Sequence, residues 1–234
     1  MTAVILASPD SSPLGMFSYF DQHRHEVLSW LWSHTWLSVL PVLIGLALSL
    51  PLGWLARRYR WLYTPVVSIS GLLYTIPSIA LFVILPSILG TKILSPINVV
   101  VALSLYTVAL LVRVVADGLA SVPEDVAQAA TAMGYTRVQR VLRVELPVAV
   151  PVIAAGLRVA SVSNVSAVAV ASTIGVPELG QLFTNGFQLS VAGPYYPPIV
   201  LGLVLCVLLA LVLDLLIVLG NRMLTPWRRV VTSR

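Results

Sequence analysis

Residues 198–220 read PIVLGLVLCVLLALVLDLLIVLG, an apolar run broken by one charge, Asp214. As a helix rising 1.5 Å per residue it extends about 35 Å, enough to cross a hydrocarbon core about 30 Å thick. Working outward, four more runs share this character, which places spanning helices at Trp36–Leu55, Leu62–Ile88, Ile97–Val115, Val148–Ile174 and Pro198–Gly220. None shows the apolar–polar alternation of a membrane barrel. The expected fold is an all-α membrane protein with about five transmembrane helices. Bulk composition agrees: 58% of the 234 residues are hydrophobic and 10% charged, with mean hydropathy +0.95, against about 25% charged in soluble domains. Pro41, Pro51, Pro77, Pro86 and Pro151 lie in or near the spans, so kinks are expected where neighbours re-satisfy freed backbone groups.

The charges give an orientation. Arg57, Arg58 and Arg60 follow the first span, Arg137, Arg140 and Arg143 precede the fourth, and Arg222, Arg228, Arg229 and Arg234 follow the fifth. The opposite side keeps Arg24 and Lys92. Basic loops face the cytoplasm, so the N-terminus is expected outside and the C-terminus inside a bacterial inner membrane. The organisation expected is an extracytoplasmic tail over residues 1–29, a transmembrane domain over 30–222 with a cytoplasmic loop at 117–147, and a basic tail over 223–234. Ala3–Ala7 is too short for a signal-peptide core and no Lys or Arg precedes it, so the first segment reads as a non-cleaved, partly amphipathic tail. The net charge of +5 does not form one patch with interleaved aromatics, which argues against a nucleic-acid partner. Cys206, the single cysteine, reads as a small apolar side chain.

Between the third and fourth spans, Asp117–Pro147 is long and polar. Ser121-Val122-Pro123-Glu124 and Thr136-Arg137-Val138-Gln139 both fit capping boxes at helix starts, and Gly134 stands between them where a positive φ ends a helix. Val126, Ala129, Ala130, Met133 and Gly134 recur at helical spacing as a face of small or flexible side chains, and Arg137, Arg140 and Arg143 make a basic flank before Leu146-Pro147 ends the second helix. The pattern alone suits docking onto a partner protein and packing onto its own spans equally; an interfacial hairpin and a DNA-binding helix-turn-helix stand behind these.

Gln128-Ala129-Ala130, three residues, Gly134, nine residues, Val144, one residue and Leu146-Pro147 resembles the EAA motif of ABC importer permeases, with Gln128 for the usual Glu and Val144 for the usual Ile. Thr75-Ile76-Pro77-Ser78-Ile79-Ala80-Leu81 resembles the TIPSLAL segment of the osmoprotectant branch. Ile174-Gly175 and Leu179-Gly180 resemble that branch's IGAGGLG, with Val176-Pro177-Glu178 in place of small residues. The resemblance covers Trp36 to Arg222. It implies a type I importer permease (MetI-like) core in which the loop docks into a groove on an ATPase. Its ATPase-coupling residues would be Gln128, Ala129, Ala130, Met133, Gly134, Arg137, Leu146 and Pro147.

It also implies partners: two cytoplasmic ATPase subunits that hold ATP and Mg, and an extracytoplasmic substrate-binding protein; one five-span unit encloses little volume, so a second permease copy, the same chain or a related one, is also expected. Embedded in lipid, this chain would itself carry no cofactor, no metal and no catalytic residue, and its cargo would be glycine betaine, carnitine or choline. A methionine or other amino-acid importer is the alternative; an ATP-independent secondary transporter is one of a different class, though no inverted repeat is apparent. The sequence holds no HExxH, GxSxG or phosphate-binding Gly-rich loop.

Polar residues within the spans complete the candidates. Ser161, Asn164 and Ser172 share a helix face, read either as translocation-path lining or as helix–helix hydrogen bonding. Tyr74 offers a π-face to a quaternary ammonium or simply packs, and Pro77 lies beside it in sequence. Arg113 and Asp117 are spaced to form a structural ion pair. Arg158 is placed to snorkel toward the cytoplasm, and Asp214 is open between a functional carboxylate and pairing at the basic C-terminal end.

Overall fold

The computed structural model describes residues 13–190 and 195–226. The long elements are α1 (Met16–Arg58), α2 (Arg60–Thr75), α3 (Ser78–Leu89), α4 (Pro96–Ala120), α7 (Leu146–Val168) and α9 (Pro197–Leu224). Between α4 and α7 stand α5 (Glu124–Ala132), α6 (Arg137–Arg140) and a π-helical turn (Val141–Glu145); after α7 come a 3-10 turn (Ala169–Ile174) and α8 (Gly180–Leu189). Among the described residues four helical stretches are long and apolar enough to cross a membrane, or five when the bent pair α2 and α3 counts as one span.

Three boundaries differ from the sequence reading. Residues 16–29, expected as a tail, form the first turns of the 43-residue helix α1, because Tyr19 and Val27 find apolar partners to bury against; residues 1–12 lie outside the described residues. The non-helical backbone within α1 falls at His23, not at Pro41 or Pro51. In the second span, by contrast, Ile76-Pro77 ends one helix and starts another, as a residue before proline is pushed toward extended backbone. The third difference is at Pro147, which does not end a helix: residues 137–174 are continuous. The Leu146 N–H donates to Val141 O, five residues back, and this widened π turn lets the chain pass a residue that has no N–H. Of the basic tail, residues 227–234, including Arg228, Arg229 and Arg234, lie outside the described residues.

The chain forms two compact units. One comprises residues up to Leu40, Pro77–Leu103 and Ser163–Val212. Its core joins Tyr19 and Val27 to Leu179, Leu182 and Leu201, with half-buried Cys206 packed alongside. Helices α8 and α9 approach closely because Gly186 has no Cβ to collide with Ile199. The 3-10 turn packs against α3 and α8.

The other unit comprises Pro41–Ile76, Ser104–Val162 and residues from Leu213 onward. Val115, Leu119, Ala149 and Ile153 form its core, flanked by Leu46, Leu50, Trp54 and Leu146. Arg57 Nη1 donates to Leu119 O at 2.6 Å, satisfying a carbonyl near the end of α4 that has no helical donor. This unit carries the α5–α6 loop.

Candidate functional site: the α5–α6 loop

The loop begins without the expected first capping box. Ser121 Oγ donates backward to Gly118 O at 2.8 Å, closing α4, and Pro123 at the N-cap of α5 supplies no side-chain bond. A hydroxyl spent on the preceding helix is lost to the following one. Glu124 and Asp125 lie in the first turn of α5, where their charge suits the helix N-terminus. At the other end Gly134 has φ +84°, a conformation costly for any residue with a Cβ. The second capping box is present: Gln139 N donates to Thr136 Oγ1 at 3.4 Å, and Thr136 N donates to Gln139 Oε1 at 2.9 Å.

One cross-brace, unpredicted from sequence, fixes the two short helices together. Arg140 Nε donates to Glu145 Oε1 at 2.8 Å and Nη1 donates to Thr131 Oγ1 at 3.1 Å. Glu145 is buried, so its carboxylate needs this partner. The sequence signal is an acid that directly follows the series Arg137, Arg140 and Arg143.

The eight expected coupling residues divide by exposure. Gln128, Ala129, Met133, Gly134 and Arg137 are exposed. Ala130 is buried, and Leu146 and Pro147 are half-buried, with Leu146 packed on the unit's core. The first set forms an outer surface; the second holds the loop onto its own protein. Beside the outer surface, Arg57, Glu124, Gln128, Thr131 and Arg140 border an open cleft of about 480 Å³.

The expected path residues also separate. Ser161 and Ser172 are buried and donate to Leu157 O and Ala169 O, both at distances below 3.0 Å, and Asn164 is buried too. Tyr74 and Pro77 are exposed. The Tyr74 ring meets Tyr106 edge-on at 5.8 Å, and Tyr106 Oη donates to Ile76 O. Arg113 and Asp117 pair at 3.5 Å on an exposed face, and Tyr63 Oη donates to Asp117 Oδ1 at 2.6 Å.

Two further pairs were not read from sequence. Asp214 is taken by Arg158 in a two-bond fork, Nε to Oδ1 at 2.6 Å and Nη2 to Oδ2 at 2.9 Å. In the other unit His34 and Glu178 are fully buried. His34 Nδ1 lies 2.7 Å from Glu178 Oε2, His34 Nε2 donates to Val165 O at 3.0 Å, and Gly180 N donates to Oε2 at 2.7 Å. Glu178 thus replaces a small residue of the resembled motif with a buried tie between α1 and the start of α8.

Long apolar helices that present a cross-braced pair of short helices, with Ala129, Met133 and Gly134 outward, are the build of the transmembrane subunit of a membrane transporter. The family model described as binding-protein-dependent transport system inner membrane component matches residues 42–229. The chain belongs to that family and is an inner-membrane permease. It is 38% identical over 211 residues to the osmoprotectant import permease protein OsmW of Salmonella typhimurium, across 89% of this chain and 96% of that protein. To the carnitine transport permease protein OpuCB of Listeria monocytogenes it is 30% identical over 185 residues, 79% of this chain and 81% of the relative. Among solved structures, a chain of the inward-facing MetNI methionine ABC transporter superposes with TM-score 0.76 at 24% identity, covering 87% of this chain and 98% of that one. That likeness establishes the MetI-type permease fold alone.

Proposed function

We propose that this permease forms the path by which a small quaternary ammonium osmoprotectant, of the glycine betaine, carnitine or choline kind, enters the cell. The observation that carries the coupling half of this reading is the exposed surface of Gln128, Ala129, Met133, Gly134 and Arg137, in the family's spacing and held rigid from behind by the Arg140–Glu145–Thr131 brace. The substrate half rests on the names of the relatives, OsmW and OpuCB among them. Family membership also implies partners: an ATPase and a substrate-binding protein. In this reading a second permease copy completes the path, two ATPase subunits hold the ATP and Mg, and this chain contributes no catalytic group. The N-terminus faces outward and the basic C-terminus the cytoplasm.

Tyr74, half-exposed and steadied by Tyr106, offers its π-face to a passing cation. Ser161, Asn164 and Ser172 are turned into the protein, which supports their packing role.

Co-purification with the cognate ATPase tests the docking surface. Ala129→Trp and Gly134→Pro are expected to abolish association while the chain still inserts; association that survives both would sink the assignment. Uptake of labelled betaine, carnitine, choline and methionine by the assembled transporter tests the cargo. Uptake of methionine alone would place the chain in the alternative, amino-acid branch.

A further inference from the structure

Two adjoining depressions in the loop-bearing unit match the two ends of a phospholipid. One is an apolar groove of about 350 Å³ whose walls include Leu50, Trp54, Leu119, Val138, Leu142 and Leu146, with almost no polar surface. The other is a cleft of about 510 Å³ bordered by five arginines and two glutamates. Trp54 and Val141 line both, so groove and cleft adjoin.

The charges in the cleft are unevenly committed. Arg57 is spent on Leu119 O, and Arg140 on Glu145 and Thr131. Among the described residues Arg60 and Arg137 have no hydrogen-bond or ion-pair partner, and Arg58 has only the Tyr59 ring, 5.2 Å from its guanidinium carbon. Glu124 is left to oppose three free guanidinium groups, so the cleft is net positive.

We infer that an anionic phospholipid binds here, its acyl chain in the groove against Trp54 and its phosphate against Arg58 and Arg60. The site stands at the end of the membrane helix α1, where lipid is the abundant amphiphile, and basic pockets at such helix ends select anionic headgroups. An acidic protein surface would match the arginines but not the apolar groove beside them. On the orientation proposed above, the lipid belongs to the inner leaflet, although its binding does not depend on which cargo is carried.

Tryptophan quenching by brominated lipid tests this directly. The full chain is reconstituted in phosphatidylcholine bilayers containing a minor fraction of either dibrominated phosphatidylglycerol or dibrominated phosphatidylcholine. Of six tryptophans, the contribution of Trp54 is isolated as the quenching lost in Trp54→Phe. The expected result is quenching of Trp54 by phosphatidylglycerol at several-fold lower mole fraction than by phosphatidylcholine. Removing one arginine should weaken that preference without abolishing it. Arg58→Ala with Arg60→Ala should abolish it, whereas Arg58→Lys with Arg60→Lys keeps the charge and most of the preference, which separates lost binding from misfolding. Equal quenching by the two lipids, or a preference that survives the double alanine variant, overturns the inference and leaves the arginines to an acidic protein surface. Abolition of the preference by excess inorganic phosphate also overturns it, marking the cleft as a site for the free anion.

Discussion

The buried His34–Glu178 pair makes a prediction whose sign reverses with background. His34 Nε2 faces the Val165 carbonyl and must carry a proton, and Gly180 N–H donates to Glu178 Oε2. The remaining contact, Nδ1 to Oε2 at 2.7 Å, therefore holds one proton shared between imidazole and carboxyl. His34→Leu strands a carboxylate that has no exposure, and truncating one partner of such a pair costs about 3–5 kcal/mol. For a chain of this size that is a melting shift of roughly 6–20 °C. Glu178→Gln keeps an oxygen for Gly180 N–H but cannot share the proton, leaving His34 Nδ1 unpaired at a cost of about 1–3 kcal/mol. Added to His34→Leu, however, Glu178→Gln removes the stranded carboxylate and should raise the melting temperature. Scanning fluorimetry of the four proteins in one detergent decides it. If Glu178→Gln lowers the melting temperature in both backgrounds, the shared-proton account is wrong.

Other outcomes follow from the site's geometry. Gly134→Ala forces a Cβ into φ +84°, an expected penalty of about 1–2 kcal/mol read as a melting shift of a few degrees, with weakened ATPase association in a pull-down. Arg140→Ala uncouples α5 from the π turn and leaves Glu145 buried without its cation, so protease cleavage within residues 124–140 should quicken, and Arg140→Lys should restore only part of the protection because one ammonium cannot serve both Thr131 and Glu145 in the guanidinium's geometry. For Arg158 and Asp214, each single neutral variant, Arg158→Gln or Asp214→Asn, should accumulate less in the membrane than the double variant, as measured by fluorescence-detected size exclusion; equal loss in all three would deny the pairing.

Local chemistry was legible in the sequence and distant chemistry was not. The apolar runs, the Thr136–Gln139 box, the left-handed Gly134 and the four-residue Arg113–Asp117 spacing each depend on neighbours within a turn or two, and each is present. His34 and Glu178 lie 144 residues apart and Arg158 and Asp214 lie 56 apart, so only the fold brings them together. The Ser121 box failed for a local reason as well, since two helices competed for one hydroxyl. Ala129 and Ala130 show the limit most plainly: adjacent and identical, one is exposed and the other is buried, because the phase of α5 is fixed by its packing and not by composition.

The π turn turns that phase into a functional quantity. Because α6, the π turn and α7 are one helix, the loop is attached to a membrane span without a flexible joint, and the direction its outer surface faces is set by how many residues lie between Arg140 and Leu146. Deleting Leu142 would replace the wide turn by α-helix with little net rotation, because a π turn carries one extra residue over nearly the same angle; deleting Leu142 and Arg143 together would rotate everything before them by about 100° relative to α7. Either deletion brings the Pro147 ring against the carbonyl four residues back, a strain of about 3 kcal/mol that the π turn now avoids, so each is made together with Pro147→Ala. The single deletion should then keep both melting temperature and ATPase association. The two-residue deletion should insert in the membrane but bind its ATPase weakly, because the rotation carries Ala129 and Met133 away from their present direction. Equal association of the two proteins would mean that the direction of the loop does not govern docking.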